Sequence, residues 1–423
     1  AQGIGDQAAC IADCSRPMGN SVFSALSDAA DGATPDRAPP GARGPRGFRR
    51  AEPQTALDAE EMWGDIDTTR VDLGSLAPRI LEAQERIAVH RARPLRRLRG
   101  HEGYVRVLCW DVFRELLVSG GGDGWIRFWS TGSLAPQGAI DCRQSVRSLL
   151  VLTRELVSGH HNGDVYLWDM ESLSRVQALR AHNEAVYALA MLRSGELVTG
   201  AEALRVWVRG RGRDFELAHT IQEEVLCACA VPRSALDSWV VTGNMNGLLH
   251  VWDMPDGASR EWCGAARCHG HSKAVWAVCF VRDTGCVASG GADNAICLWD
   301  VGTWQCVKEL REHSGWVVGL SVGPGWLLSC SIDQSVRAWD VERWRCARTF
   351  SEQTCEVYCV CAFAGGRFAA AGADSIVVVH GSEGDAQERA RHGSEAEAQE
   401  RARERPRAQP APAAEDAEDL FET

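Results

Sequence analysis

Six tryptophans end strand-like segments at nearly even intervals, and that spacing constrains the fold more than any other feature of the chain. Trp129, Trp168, Trp207, Trp252, Trp299 and Trp339 follow one another by 39, 39, 45, 47 and 40 residues. A seventh, weaker unit ends at Val379–His380. Upstream of each tryptophan lie two more apolar runs, such as "AVWAVCF" and "CVASGG" in unit five, joined by turn residues. A polar connection with a fourth run follows. Strand, turn, strand, turn, strand reads as an antiparallel sheet of four. Repetition at a fixed period of this size is the signature of a repeat architecture.

Four units end in Trp-Asp, at 168–169, 252–253, 299–300 and 339–340. Gly-His stands before the first strand at 100–101 and 270–271, with Ala-His at 181–182 and Glu-His at 312–313. In these features, over residues 94–380, the chain resembles WD40 β-propellers. The resemblance implies an all-β, seven-bladed WD40 propeller. It also implies that "RPLRRLR" (93–99) supplies the outer strand of the last blade and closes the ring. Closure removes an exposed sheet edge.

Around this body the sequence divides simply. Residues 1–72, rich in Ala, Gly, Pro, Asp and Arg, read as a disordered extension. Residues 73–92 read as a short helix or linker carrying Leu76, Ile80, Leu81 and Ile87. The propeller occupies 93–380. Residues 381–423 read as a charged, mostly disordered tail in which "AQERAR" occurs twice and Leu420 and Phe421 lie among acids. The tail holds 12 Asp/Glu against 6 Lys/Arg, half of the chain's net charge of −12. The body is therefore only mildly acidic and makes no case for nucleic acid. Five arginines at 91–99 read as solvated residues on an outer strand. No run of 18 apolar residues occurs, so no membrane span is expected. The 17 cysteines fall mostly inside strand-like runs such as "VLCACAV", where they read as small hydrophobes. Their odd number points to a reducing, intracellular compartment, cytoplasmic or nuclear. Cys10 and Cys14 have no second pair nearby to make a zinc site.

One polar set recurs. Unit one has His101, Ser119, Asp123 and Trp129; unit five has His271, Ser289, Asp293 and Trp299; unit six has His313, Ser329, Asp333 and Trp339. Ser, His and Asp together look like a hydrolase triad. The resemblance implies instead a structural tetrad, in which the turn Asp accepts from the His, the His meets the Ser and the Ser takes the indole N–H. Three full copies, with no nucleophile elbow, argue for the structural role. The chain is read as no enzyme, and no cofactor is expected. Incomplete copies follow in the other units. Unit two has Ser158, Asn162 and Trp168, with Cys142 at the His position; unit four has Thr242, Asn246 and Trp252, with Ile221 there. Unit three has His182, Thr199 and Trp207 on a turn two residues shorter that lacks the Asp. Unit seven has Gln353, Ala370 and Asp374, and loses Ser and Trp together, which is expected to strand no donor. Units two, four and seven are expected to be less rigid than units one, five and six. Cys263, Cys268, His269 and His271 have zinc-like spacing, but His271 belongs to a tetrad and the segment is a blade connection, so no metal is expected.

The resemblance also implies where a partner sits. In the family, the residues flanking the first Val of each innermost strand, and the residue before the turn Asp, commonly face the partner. Here that Val is Val105, Val146, Val186, Val225, Val275, Val317 or Val357. The positions supply Tyr104, Arg106, Arg147, His161, Tyr187, Met245, Trp276, Trp316, Ile332 and Tyr358, with Glu224, Leu226 and Glu356 beside them. Trp, Tyr and Arg dominate binding hot spots. The expected function is a non-enzymatic scaffold for a peptide or protein partner, with substrate recognition in a ubiquitin ligase as the alternative. Nucleic acid and membrane are not expected as partners, and the propeller is expected to be monomeric within a larger complex.

Overall fold

Apolar residues fill the first two strands of each unit almost without interruption, while the fourth strand alternates with polar residues. A continuous apolar run suits a strand covered on both faces, and alternation suits one with a wet face. In blade one, Val105–Asp111 and Leu116–Gly121 are buried almost throughout, whereas Pro136–Asp141 is mostly exposed. The computed structural model describes residues 88–210, 214–234, 238–253 and 263–382. The readings made for 1–72, for most of 73–92, for Cys10 and Cys14 and for nearly all of the tail lie outside these residues.

The described strands form seven four-stranded antiparallel sheets. The first strand of each blade packs against the first strand of the next, and that of blade seven returns to blade one, so the sheets close into a ring. The chain is an all-β, seven-bladed propeller. Its last blade takes three strands from the C-terminal end and its outer strand, Arg93–Leu98, from the N-terminal end, paired antiparallel with Val377–Gly381.

The Ser-Gly pairs on the second strands set the distance between blades. A Cβ at Gly290 would stand 2.6 Å from Val317 Cγ1 of blade six, and one at Gly120 2.7 Å from Val146 Cγ1 of blade two. Only a residue without a side chain lets neighbouring sheets approach this closely. In blades two, five and six the Trp-Asp carboxylate folds the link to the outer strand. Asp300 Oδ1 accepts from Thr303 N and Thr303 Oγ1, both at 2.8 Å, ahead of Trp304 at φ 55°. Outside the ring, Gln177 of blade two bonds both backbone groups of Phe215 in blade three, each at 2.9 Å, tying two outer strands together.

Blade seven departs from expectation. Phe368 pairs with His380 as Leu117 pairs with Trp129, so His380, not Val379, stands in the tryptophan's place. Its ring stacks on Phe368 at 4.5 Å and is fully buried. With Ala370 where a serine would be, neither ring nitrogen has a hydrogen-bond partner among the described residues. Losing Ser and Trp together therefore does strand a donor, on an imidazole instead of an indole. Burial, with Arg348 and Arg97 adding to it, pushes the His380 pKa down to about 3. His380→Phe is expected to raise stability by about 1–2 kcal/mol in urea denaturation at neutral pH.

Candidate functional site

The recurring polar set is a hydrogen-bonded chain of four residues. In blade five, His271 Nδ1 lies 2.9 Å from Asp293 Oδ1, His271 Nε2 2.8 Å from Ser289 Oγ, and Trp299 Nε1 donates to Ser289 Oγ at 2.8 Å. Blade one repeats this with His101–Asp123 at 2.9 Å, His101–Ser119 at 2.8 Å and Trp129–Ser119 at 2.9 Å. Blade six has His313–Asp333 at 2.8 Å, His313–Ser329 at 2.7 Å and Trp339–Ser329 at 2.9 Å. With Nδ1–H given to the carboxylate, Nε2 accepts the serine O–H, whose oxygen accepts the indole N–H. Burial works to raise the Asp293 carboxyl, but the His271 bond and the backbone amides of Ser272 and Ala295 outweigh it, to about 2. Ser119, Ser289 and Ser329 are each 0% exposed, so these hydroxyls are sealed from any substrate. Both ring nitrogens of His271 are engaged, Cys268 is buried, and the Cys263 side chain lies outside the described residues.

The incomplete blades use substitutes that the sequence reading missed. In blade two, Cys142 does not leave Ser158 without a histidine. His160 lies two residues along the same strand, and thus on the same face, with Nε2 2.8 Å from Ser158 Oγ. Trp168 completes the set at 2.7 Å. In blade three the shortened turn lacks Asp but carries Glu202, whose Oε2 stands 3.2 Å from His182 Nδ1, while His182 Nε2 meets Thr199 at 2.7 Å. Blade four keeps Trp252–Thr242 at 2.9 Å, and its histidine, His250, faces Glu223 at 3.1 Å. The expected ranking of rigidity changes accordingly, with blade two joining the stronger set. Amide exchange is expected to be faster in the third strands of blades four and seven, Leu248–Asp253 and Val377–Gly381, than in Ile296–Asp300 of blade five.

The residues flanking the first valines gather on one face in two groups. On blades seven, one and two, the Tyr104 and Tyr358 rings meet edge to face at 6.4 Å. The Arg106 guanidinium lies 4.6 Å over Tyr358, and that of Arg147 5.6 Å over Tyr104. His161 Nδ1 is 3.4 Å from Arg147 Nη2. On blades three to six, Trp276 and Trp316 stack at 6.1 Å and 24°, and share an apolar cluster with Tyr187, Leu226, Met245 and Ile332.

The two flanks of each valine differ in exposure. Those before it, Tyr104, Glu224, Trp316 and Glu356, are half-buried; of those after it, Arg106, Arg147, Tyr187, Leu226 and Trp276 are buried. The register skips one residue at Arg106, Arg147, Trp276 and Tyr358, and such a bulge re-aims the extra side chain. Arg106, Arg147, Tyr187 and Trp276 therefore support the face from beneath and do not form its surface. Tyr104, His161, Met245, Trp316, Ile332 and Tyr358 remain accessible. Burial, then the 2.7 Å bond to Glu356, pushes the Tyr358 phenol pKa up, keeping it a donor.

Three stretches, residues 92–130, 264–300 and 304–340, match the family model of the WD domain, G-beta repeat. They carry blades one, five and six, the blades with complete His-Ser-Asp-Trp sets. Those three blades are WD40 repeats, set in a seven-bladed β-propeller. Among curated proteins this propeller is similar to the B-type cell cycle switch protein ccs52B of Medicago truncatula, 37% identical over 128 residues, 28% of this chain and 26% of that protein. It is similar to Protein FIZZY-RELATED 3 of Arabidopsis thaliana, 35% identical over 128 residues, 28% of this chain and 27% of that protein. A longer match, 28% identical over 217 residues, covers 49% of this chain and 14% of the sterol regulatory element-binding protein cleavage-activating protein of Xenopus laevis. The propeller thus aligns with about a quarter of the two plant proteins and less of the third.

Proposed function

We propose that this propeller is a non-enzymatic interaction scaffold that binds a peptide or protein partner on the face carrying Tyr104, Trp316 and Tyr358. The observation that carries the reading is the accessible aromatic rim resting on a buried layer of Arg106, Arg147, Tyr187 and Trp276. A rigid, supported aromatic surface loses little entropy on binding, and folding alone does not require one at a rim. The likeness to proteins named as cell cycle switch and FIZZY-RELATED supports a regulatory partner protein. The described cysteines are free, in keeping with a reducing compartment.

The test is a display library of linear peptides selected on the purified chain. Trp316→Ser/Ile332→Ser is expected to lose the selected peptides, whereas Phe113→Ser, at a residue 57% exposed on another turn, is expected to keep them. Equal binding by all three proteins would overturn the reading. The second reading, substrate recognition in a ubiquitin ligase, draws on the shortened hairpin of blade three, which resembles propellers of such ligases. Ubiquitin-ligase subunits travelling with the same chain would favour it.

A further inference from the structure

The outer strands of blades six and seven form a basic sector on the rim of the ring. Arg345–Phe350 reads RCARTF and Arg93–Leu98 reads RPLRRL, with Arg99 just beyond, so these strands hold arginines and no carboxylate. The two strands are neighbours. The Arg348 guanidinium bonds His90 O at the entry to Arg93–Leu98, and the Phe350 ring meets that of His380 in blade seven at 5.5 Å. Arg96, Arg97, Arg99 and Arg345 are exposed, and Arg348 is half-buried.

These arginines lack the ionic partners that others on the ring have. Arg233 meets Asp253 at 2.9 Å, Arg337 meets Glu312 at 2.7 Å and Arg343 meets Asp340 at 3.6 Å. Arg96 and Arg348 instead bond backbone carbonyls, those of Ser133 and His90. None of Arg96, Arg97, Arg99, Arg345 and Arg348 meets a carboxylate among the described residues. Asp340, at the turn before Arg345, is taken by Arg343 and by the amides of Glu342 and Arg343 at 2.8 and 3.0 Å. Five guanidinium groups on two neighbouring strands repel one another, and an anion laid across them relieves that repulsion.

The chain itself supplies an anion at this place. Arg93 pairs with Gly381, so the residues after 381 leave the ring beside the basic sector. Among them, residues 408–423 hold five Asp or Glu and no Lys or Arg, and Glu415, Asp416, Glu418 and Asp419 fall within five positions. The 32 residues between Ser382 and Glu415 can span up to ~100 Å, against ~20 Å for a six-residue strand, so the segment reaches either strand. A tethered segment also outcompetes an equally acidic molecule free in solution. We propose that the acidic segment 415–422 docks on the arginines of these two outer strands within the same chain. The contact is separate from the aromatic face and stands whether or not that face binds a partner.

The test places the photocrosslinker p-benzoylphenylalanine at Ala417 of the full chain and maps its crosslinks by mass spectrometry. Crosslinks are expected on peptides covering 93–99 and 345–350, and within one chain when ¹⁵N-labelled and unlabelled chains are mixed. Arg97→Gln/Arg345→Gln, at two exposed positions, is expected to lower their yield about threefold or more. Arg175→Gln/Arg180→Gln removes the same charge from the exposed outer strand of blade two and is expected to leave the yield unchanged. Each variant is first shown to unfold at the wild-type urea midpoint. Equal yields from the two double variants would overturn the proposal. Crosslinks absent from these strands would leave the arginines to an anionic partner, and crosslinks between labelled and unlabelled chains would give the segment to a second copy; either overturns it as well.

Discussion

Ser289→Ala is expected to lower the stability of the propeller by about 2–5 kcal/mol, with no change in the urea slope. The serine hydroxyl serves two neighbours at once, taking Trp299 Nε1 and giving its proton to His271 Nε2, both at 2.8 Å. The site is sealed, with Ser289 0% and Trp299 1% exposed, so no bulk water replaces the lost oxygen. Each stranded polar group costs on the order of 1–3 kcal/mol, and here there are two. His271 also loses one of the bonds that aim it at Asp293. The measurement is urea denaturation followed by tryptophan fluorescence at neutral pH. A loss under about 0.5 kcal/mol, the size of an ordinary surface substitution, would show that the set does not hold the blade together.

Acid is expected to destabilise the fold well before any aspartate set is protonated. Burial holds His160 at about 4 and His380 at about 3, and it lowers His182 as well, against the pull of Glu202. Above pH 6.5 these rings are neutral in both the folded and the unfolded chain. Below it the unfolded chain takes up protons that the folded chain refuses, so stability falls with pH until the folded values are reached. At pH 5 each of His160 and His380 costs about 2 kcal/mol relative to pH 7.5, and His182 acts in the same direction. The sum approaches the whole stability of a typical domain. The tetrad aspartates act in another window. Their folded values lie below the unfolded one, so their contribution is present above about pH 4 and is lost only below it. Urea midpoints measured from pH 7.5 to 4.5 are expected to fall steadily below pH 6.5. His380→Phe is expected to recover about a third to a half of that fall. A flat profile down to pH 5 would show that these rings find partners or water when charged.

The seven-unit period and the strand that closes the ring were readable because each rests on repetition. The ten-residue step from Ser to Trp holds wherever the hairpin keeps its length, and Arg93–Leu98 stands where a fourth strand is missing. The substitutes were harder to read because they come from outside the aligned columns. His160 sits two residues from Ser158, and strand alternation alone would have placed both on one face. Glu202 was also within reach, being the one carboxylate on the shortened turn. The burial of Arg106, Arg147 and Trp276 was not accessible in this way. It follows from bulges after Val105, Val146 and Val275, which are set by contacts between blades and leave no mark in a single strand's pattern.

The most direct test of a scaffold that works through its face is quantitative affinity capture from the native cell. Three chains are compared: the wild type, Trp316→Ser/Ile332→Ser, and the control Phe113→Ser, each first shown to unfold at the wild-type urea midpoint. A set of partners held by the wild type and the control and lost by the rim variant is expected. Identical partner lists for all three would contradict it and move the function away from this face.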